Sequence, residues 1–442
     1  MAIYDINGTE LDVAYSLNGV ALGEAYDIDG NPLYEDDPEV IDDIDLSDVE
    51  SYFVQPVRDA MAYVKNLGTR GWVHHIVLAD THNKLNYGHS SAIVSAMQSS
   101  NYFSKVIHLG DLIDSNATGN YADGVAAWGQ FNGDMLFCIG NHDVGVSDWA
   151  TAFYDSYLSN DTDIVVDQTD ISRLNYYWDD TKHRIRYIIY NFNDSTGGGT
   201  TYAQNKIDST PSGYGIVTLC HYKDKVNGFV PVRVVGKGIN YIGNICGHWH
   251  IDEMLTQFGG IYNQVLINND GHINDDANYP KTDGTVNSQA ITIMSINQST
   301  RVVKFYRIGI PTTLGSQWEY TYPKNDSVDG WYEGFYWGLG GQSTSYEGCW
   351  LCTKKYPVKD SNNNTLQYSV TTTTGALTEL YVLGLDANGN VVQRKTIGES
   401  STLDNTCTFN SSTLGSSAVT LLISLYGDNN IEKAEDIIVT AV

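Results

Sequence analysis

Apolar and polar positions change their period along the chain, and each change predicts a different kind of structure. Between residues 47 and 68, Val49, Phe53, Val57 and Met61, joined by Val54 and Val64, fall on one face of a helix. Ser47 and Glu50 have the spacing of a capping box, and Gly68 is a fitting stop. From 73 to 310 the pattern becomes short apolar runs closed by polar loops: 73–79, 105–109, 135–139, 186–190, 216–219 and 241–245. Runs of this kind predict strands buried on both faces of a layered α/β sheet. Helical patterning near 91–99 and 122–130 fits crossovers between the first strands. The later runs, 290–294 and 301–305, alternate more, as antiparallel strands do.

The two ends differ from this middle. Residues 1–36 hold a repeat of period 11, at 4–11, 15–22 and 26–33, each Tyr-x-Ile/Leu-Asn/Asp-Gly-x-x-Leu. Asn-Gly and Asp-Gly favour tight turns, so each copy reads as a short β unit too small to bury its own Tyr and Leu. It is either a β-meander on the main domain or an attachment segment for self-assembly or a larger assembly. Residues 37–72 follow as an acidic linker and helix, and 311–345 are a connector rich in Gly, Ser, Thr and Trp. From 346 to 442 the pattern is β throughout, with a hairpin turning at Asn388-Gly389 and a strong strand over 419–426. This predicts a separate all-β sandwich, jelly-roll-like.

Composition narrows the classes. A chain of 442 residues predicts two or three domains. A net charge of −28 repels polyanions, so no nucleic-acid partner is expected. The first residues lack a basic segment and an apolar core, and no apolar run is long enough to cross a membrane. Six cysteines in this length are no disulfide framework; Cys138, Cys220 and Cys246 read as small buried hydrophobes. Synthesis in the cytoplasm is the simple expectation, compatible with later release by lysis.

Five polar blocks stand directly after apolar runs: Asp80-Thr81-His82, Gly110-Asp111, Gly140-Asn141-His142-Asp143, His221, and Gly247-His248-Trp249-His250. Loops at the C-terminal edge of a sheet gather in space. Carboxylate, imidazole and amide oxygen suit borderline first-row metals, and the absence of Cys argues against a structural zinc site. Singly each block is weak: a Gly-Asp after a strand is usually a turn, and a lone His is usually a hydrogen-bonded surface residue. His74, His75 and His108 lie within the apolar runs and read as satisfied core or interface histidines.

In order and content the five blocks resemble those of the calcineurin-like metallophosphoesterases, across residues 73–310. That resemblance implies a four-layer αββα sandwich and a metal-dependent phosphoesterase with two ions, manganese, iron, zinc or nickel. Asp80, His82 and His250 would hold one ion; Asn141, His221 and His248 the other; Asp111 would bridge them. A hydroxide between the ions would attack phosphorus in line. His142 would protonate the leaving oxygen, and Asp143 would orient its ring. Asn83 and His272 are weaker candidates for substrate contact. Trp249 stands where a smaller residue is common, which alters the pocket wall and not the ligand set.

The Tyr/Asn/Gly-rich C-terminal segment resembles, at the level of fold, accessory modules of bacteriophage tail proteins and carbohydrate-active enzymes. With the N-terminal repeats it supports a virion-associated phosphodiesterase acting on a phosphate-containing cell-envelope polymer such as teichoic acid. The alternatives are an intracellular phosphoesterase on a small substrate and a non-catalytic virion structural or receptor-binding protein.

Overall fold

A computed structural model describes residues 3–4, 10–11, 44–82, 87–114, 118–191, 198–211, 213–222, 234, 239–257, 261–268, 270–271, 281–311, 314–323, 331–337, 345–352, 354–372, 377–387, 391–399, 406–427 and 437–442. The chain begins with β1 (Ile3–Tyr4), β2 (Glu10–Leu11), α1 (Ser51–Leu67), β3 (Val73–Leu78), α2 (Tyr87–Gln98), β4 (Phe103–His108), α3 (Thr118–Trp128) and β5 (Met135–Phe137). It continues with α4 (Trp149–Tyr157), β6 (Ile164–Val166), β7 (Tyr176–Asp180), β8 (Ile185–Ile189), α5 (Gly198–Asp208), β9 (Gly215–Leu219), β10 (Asn240–Cys246), β11 (Glu253–Gln257) and β12 (Tyr262–Leu266). Then come β13 (Ala290–Asn297), β14 (Val302–Gly309), β15 (Gln317–Thr321), β16 (Trp331–Trp337), β17 (Ser345–Cys352) and β18 (Tyr356–Pro357). The last are β19 (Gln367–Thr372), β20 (Leu377–Leu385), β21 (Val391–Glu399), β22 (Thr406–Asn410), β23 (Thr420–Gly427) and β24 (Ile437–Ala441).

Two sheets carry the middle of the chain. One has the order β15-β14-β13-β3-β4-β5, with β3, β4 and β5 parallel. The other has the order β11-β12-β10-β9-β8-β7-β6, with β8, β9, β10 and β12 parallel. Residues of both sheets, among them Ile76, Val106, Val217 and Ile245, share one apolar core. That explains why β3, β8 and β9 are buried along their whole length, as continuous apolar runs predict. β13 is also buried throughout although both its neighbours are antiparallel; of the two late strands, β14 comes nearer to alternation.

α1 packs Phe53, Val57, Ala60 and Val64 into that same core. Gly68 ends it at φ 71, as expected. The expected capping box is absent: Glu50 is the capping residue without a side-chain cap bond, and the Ser47 N–H donates to Asp45 Oδ1 instead. The sheet also runs past residue 310, because β15 pairs with β14. The helix before 73 and the strand after 310 therefore belong to the core unit, not to linkers.

The far face of the second sheet packs against α5 through Tyr202, Ala203 and Ile207. Leu383, Leu385 and Leu422 of β20 and β23 join the same cluster. Residues 331–442 form one sheet of order β16-β17-β23-β20-β21, with β18 against β23, and a second of order β22-β19-β24. Leu380, Leu421 and Ile423 from the first meet Tyr368, Val370 and Phe409 from the second in a third core. The strands flanking Asn388-Gly389 pair as a hairpin, while the turn itself lies outside the described residues. β1 and β2 pair antiparallel around the first Asn-Gly; repeats two and three lie outside the described residues. Among the described residues no helix is long and apolar enough to cross a membrane.

Candidate metal centre

The parallel strands deliver the polar blocks to one place. Asp80 follows β3, Asp111 follows β4, Asn141 follows β5, His221 follows β9, and His248 and His250 follow β10. Backbone bonds lace these loops together: Asp80 N–H donates to Gly110 O (2.9 Å), His82 N–H to Asp111 O (3.0 Å) and Gly247 N–H to His221 O (3.1 Å). Both sheets thus contribute to a single cluster.

Two groups of donor atoms come from the five polar blocks, and a third joins His82 and His142 to Asp114. In the first, His250 Nε2 lies 3.3 Å from Asp80 Oδ1, and His82 Nε2 lies 3.2 Å from His250 Nε2 and 3.9 Å from Asp111 Oδ2. In the second, His221 Nε2 lies 3.1 Å from Asp111 Oδ2, 3.1 Å from Asn141 Oδ1 and 3.2 Å from His248 Nδ1. Ligand bonds of about 2.1 Å place neighbouring donors about 3.0–3.4 Å apart, so most of these separations already fit a cation at the centre of each group. The chemistry fits too: imidazole nitrogens and carboxylate oxygens aimed at one another are a donor set that a first-row cation satisfies. Asp111 belongs to the second group and stands between the two, 3.9 Å from His82 of the first.

Side-chain electrostatics agree. Burial pushes His82 and His248 down to about 4, so both rings are neutral at pH 7, the form in which imidazole can bind a metal. Burial works against charge on His221, but Asp111 and Asp80 overcome it and lift that ring to about 9. The carboxylates therefore draw positive charge to this point. The His221 Nδ1–H donates to Leu109 O (2.8 Å), which turns Nε2 toward the group, where a cation would take the place of its proton.

Backbone conformation is unusual where the ligands sit. Asp80, His82, Asp111 and His250 have φ 52 and His248 has φ 73. Glycines make room for the ligands: a Cβ on Gly140 would lie 2.0 Å from Asp111 Oδ1, and one on Gly247 would lie 2.6 Å from Asp80 Oδ2.

His142 is in neither of these two groups but forms a third with His82 and Asp114, and its Nε2 lies 3.9 Å from Asp111 Oδ2, as far as that of His82 does. Its orienter differs from expectation. The ring Nδ1–H donates to Asp114 O (2.6 Å), while Asp143 turns its carboxylate away to accept from Asp111 N–H (2.9 Å), Gly140 N–H (2.9 Å) and Ile113 N–H (3.2 Å). Asp143 begins a short 3-10 turn, which points its side chain back under the loop that carries Asp111. Burial and Asp111 push its carboxyl up to about 7. Asp114 also brings Oδ1 to 3.6 Å from His82 Nδ1. Sequence reasoning missed Asp114; its signal is a second aspartate three residues after Asp111 in the same loop.

Asn83 and His272 lie outside the described residues. His74, His75 and His108 are core histidines as expected: they pair with Ser295 Oγ (2.8 Å), Tyr187 OH (2.7 Å) and Thr81 Oγ1 (2.8 Å). Cys138, Cys220 and Cys246 are free and buried.

No family model and no curated protein matches the chain. Among solved structures it is similar to a predicted phosphoesterase of Streptococcus pneumoniae, with 12% identity over 57% of this chain and 98% of that one, at a TM-score of 0.26. It is also similar to GAP50, the anchor in the inner membrane complex of Plasmodium, with 10% identity over 58% and 91% of the two chains and a TM-score of 0.39. A third is Vacuolar Protein Sorting 29 from Cryptosporidium parvum, with 12% identity over 57% and 98% and a TM-score of 0.26. All three TM-scores are low, and the reading that follows rests on the geometry of the site itself.

Proposed function

We propose that this chain is a metal-dependent phosphoesterase working with two ions. The observation that carries the proposal is the pair of donor groups Asp80-His82-His250 and Asp111-His221-His248, with His142 beside them in a further group with His82 and Asp114. Asp80, His82 and His250 would hold one ion, and Asn141, His221 and His248 the other. Manganese, iron, zinc and nickel all suit this donor set. When bound, the ions would supply Lewis acidity, acidifying water and offsetting phosphoryl charge.

The chain's own residues do the rest. A carbonyl oxygen can only accept, so the bond to Asp114 O fixes hydrogen on Nδ1 of His142 and makes Nε2 the atom that gives up a proton. Facing the cluster, it protonates the departing ester oxygen. Asp143 is a positioning residue: it ties the Asp111 and Gly140 loops together from below.

The finer reading is a four-layer αββα catalytic unit with a jelly-roll-like sandwich at 346–442, acting as a phosphodiesterase. A virion setting and an envelope-polymer substrate such as teichoic acid draw their support from the N-terminal repeat and the Tyr/Asn/Gly-rich C-terminal segment. Binding of a surface glycan there belongs to the same proposal, as does assembly through the repeats.

Hydrolysis of bis(p-nitrophenyl) phosphate with added manganese tests the reaction class, and no turnover under several metals overturns it. His142→Ala should lose turnover while retaining both metals; loss of metal in that variant refutes its assignment as a non-ligand.

A further inference from the structure

Trp249 is the one aromatic among the large apolar side chains left exposed in the described residues, with 52% of its surface open to water. Trp128, Trp178 and Trp318 are buried, so this exposure is not the habit of the chain's tryptophans. Its place is held by the site itself. It lies between His248 and His250, both in the left-handed region, and its N–H donates to Gly247 O (2.9 Å).

The neighbouring rings give it direction. His248 turns Nδ1 toward the donor cluster, 3.2 Å from His221 Nε2. Tyr222 lies against the His248 ring with centroids 4.0 Å apart, and Trp249 meets the same ring edge-on at 5.7 Å. One ligand ring is thus flanked by a half-buried phenol and an exposed indole. This wall borders the donor cluster, within reach of the organic group of an ester whose phosphoryl group would sit there.

We infer that Trp249, with Tyr222 against the same His248 ring, is a platform for a planar ring in the organic group of the ester. The inference rests on the phosphoesterase reading alone and names, in place of the envelope polymer, a different substrate class: a phosphate ester of an aromatic or heterocyclic group. An indole face in water recovers its apolar exposure by stacking on such a ring, which contributes about 10- to 100-fold in affinity. The chain's charge of −28 points the same way, since a single phosphate beside a neutral ring is repelled far less than a polyphosphate chain.

Phenylphosphonate and methylphosphonate share a head group and differ only in the ring. Direct calorimetric titration of each into the manganese-loaded full chain reads the platform without turnover. The wild-type chain should prefer phenylphosphonate by about 10- to 100-fold. Trp249→Ala should remove most of that preference and leave methylphosphonate affinity unchanged, and Trp249→Phe should retain part of it. Equal affinity for the two phosphonates, or a preference untouched by Trp249→Ala, overturns the inference while ester hydrolysis stands. Failure of both to bind, with no ester turned over, sinks the phosphoesterase reading and this inference with it.

Discussion

Gly140 offers the sharpest test of how the strand-end loops build the site. A Cβ there would lie 2.0 Å from Asp111 Oδ1 and 2.2 Å from Asp111 N, where real Cβ contacts stay beyond 3.0 Å. Gly140→Ala therefore forces residue 140 and Asp111 apart by about 1 Å or more, the difference between those distances. Neither side can yield cheaply. Asp143 Oδ2 accepts from both Asp111 N–H and Gly140 N–H, and Asp111 Oδ1 accepts from His142 N–H (2.8 Å). A metal site tolerates about 0.2 Å in its ligand distances, and Asp111 belongs to one donor group and borders the other. The variant should bind less than its full complement of metal by elemental analysis. It should lose about 100-fold or more in kcat/KM, with about 1–3 kcal/mol less stability. Gly284→Ala is the control: its φ is +68 but nothing lies within 4 Å, so it should cost about 1–2 kcal/mol in backbone strain and no metal. A Gly140→Ala chain with full metal and wild-type turnover would refute this account of the loops.

Three further outcomes follow from burial. Burial pushes His75 down to about 3 and His74 to about 4, below their unfolded value of about 6.5, so the stability that depends on their neutrality is present above that value and lost as pH falls toward 4. Each should contribute about 1.4 kcal/mol per pH unit across that window, and an unchanged pH slope of urea midpoints in His75→Phe would contradict this. Arg307 is fully buried, paired with Asp252 Oδ1 and donating from Nε to Thr292 Oγ1 (3.0 Å). Arg307→Met should cost about 3–5 kcal/mol by leaving Asp252 buried beside fewer positive charges, and adding Asp252→Asn should recover part of it; a thermal melt within error of wild type counts against the pair. Removal of residues 331–442 uncovers Tyr190, Tyr241 and Tyr262 where Leu383, Leu385 and Leu422 pack, each leucine worth about 2 kcal/mol, so the shortened chain should melt lower and bind a hydrophobic dye. An unaltered melt without dye binding would show that contact to be incidental.

That last contact marks the limit of what the sequence made legible. Continuous apolar runs announced β3, β4, β8, β9 and β10 because strands buried on both faces need no polar side. The polar blocks after them announced the donor set for the same reason: a carboxylate or imidazole directly after such a run has nowhere to go but the sheet edge. Pairing across sequence distance was not legible. Nothing in the run 380–385 says that its leucines cover the second sheet, and nothing at 317–321 says that this strand closes the first. Adjacency misled at Asp143, which follows His142 in the chain yet turns beneath Asp111, while Asp114 reaches the ring from 28 residues away.

Residue types at the ligand positions answer to two demands at once, and only one of them can be read without coordinates. Asp80, His82, Asp111, His248 and His250 all lie in the left-handed region, five of the eleven such non-glycine residues among those described. Each such residue costs about 1–2 kcal/mol for an ordinary side chain, and Asp and His are among those that adopt it more readily. The conformation turns the chain sharply after a buried strand and brings the side chain back over the strand end. A β-branched residue at any of these places would lose the turn as well as the donor atom. Metal-ligating type and turn-forming type therefore coincide here, which is why short blocks located the site while the strain that shapes it stayed hidden. The strain is held by backbone bonds between loops, such as Asp80 N–H to Gly110 O and His82 N–H to Asp111 O.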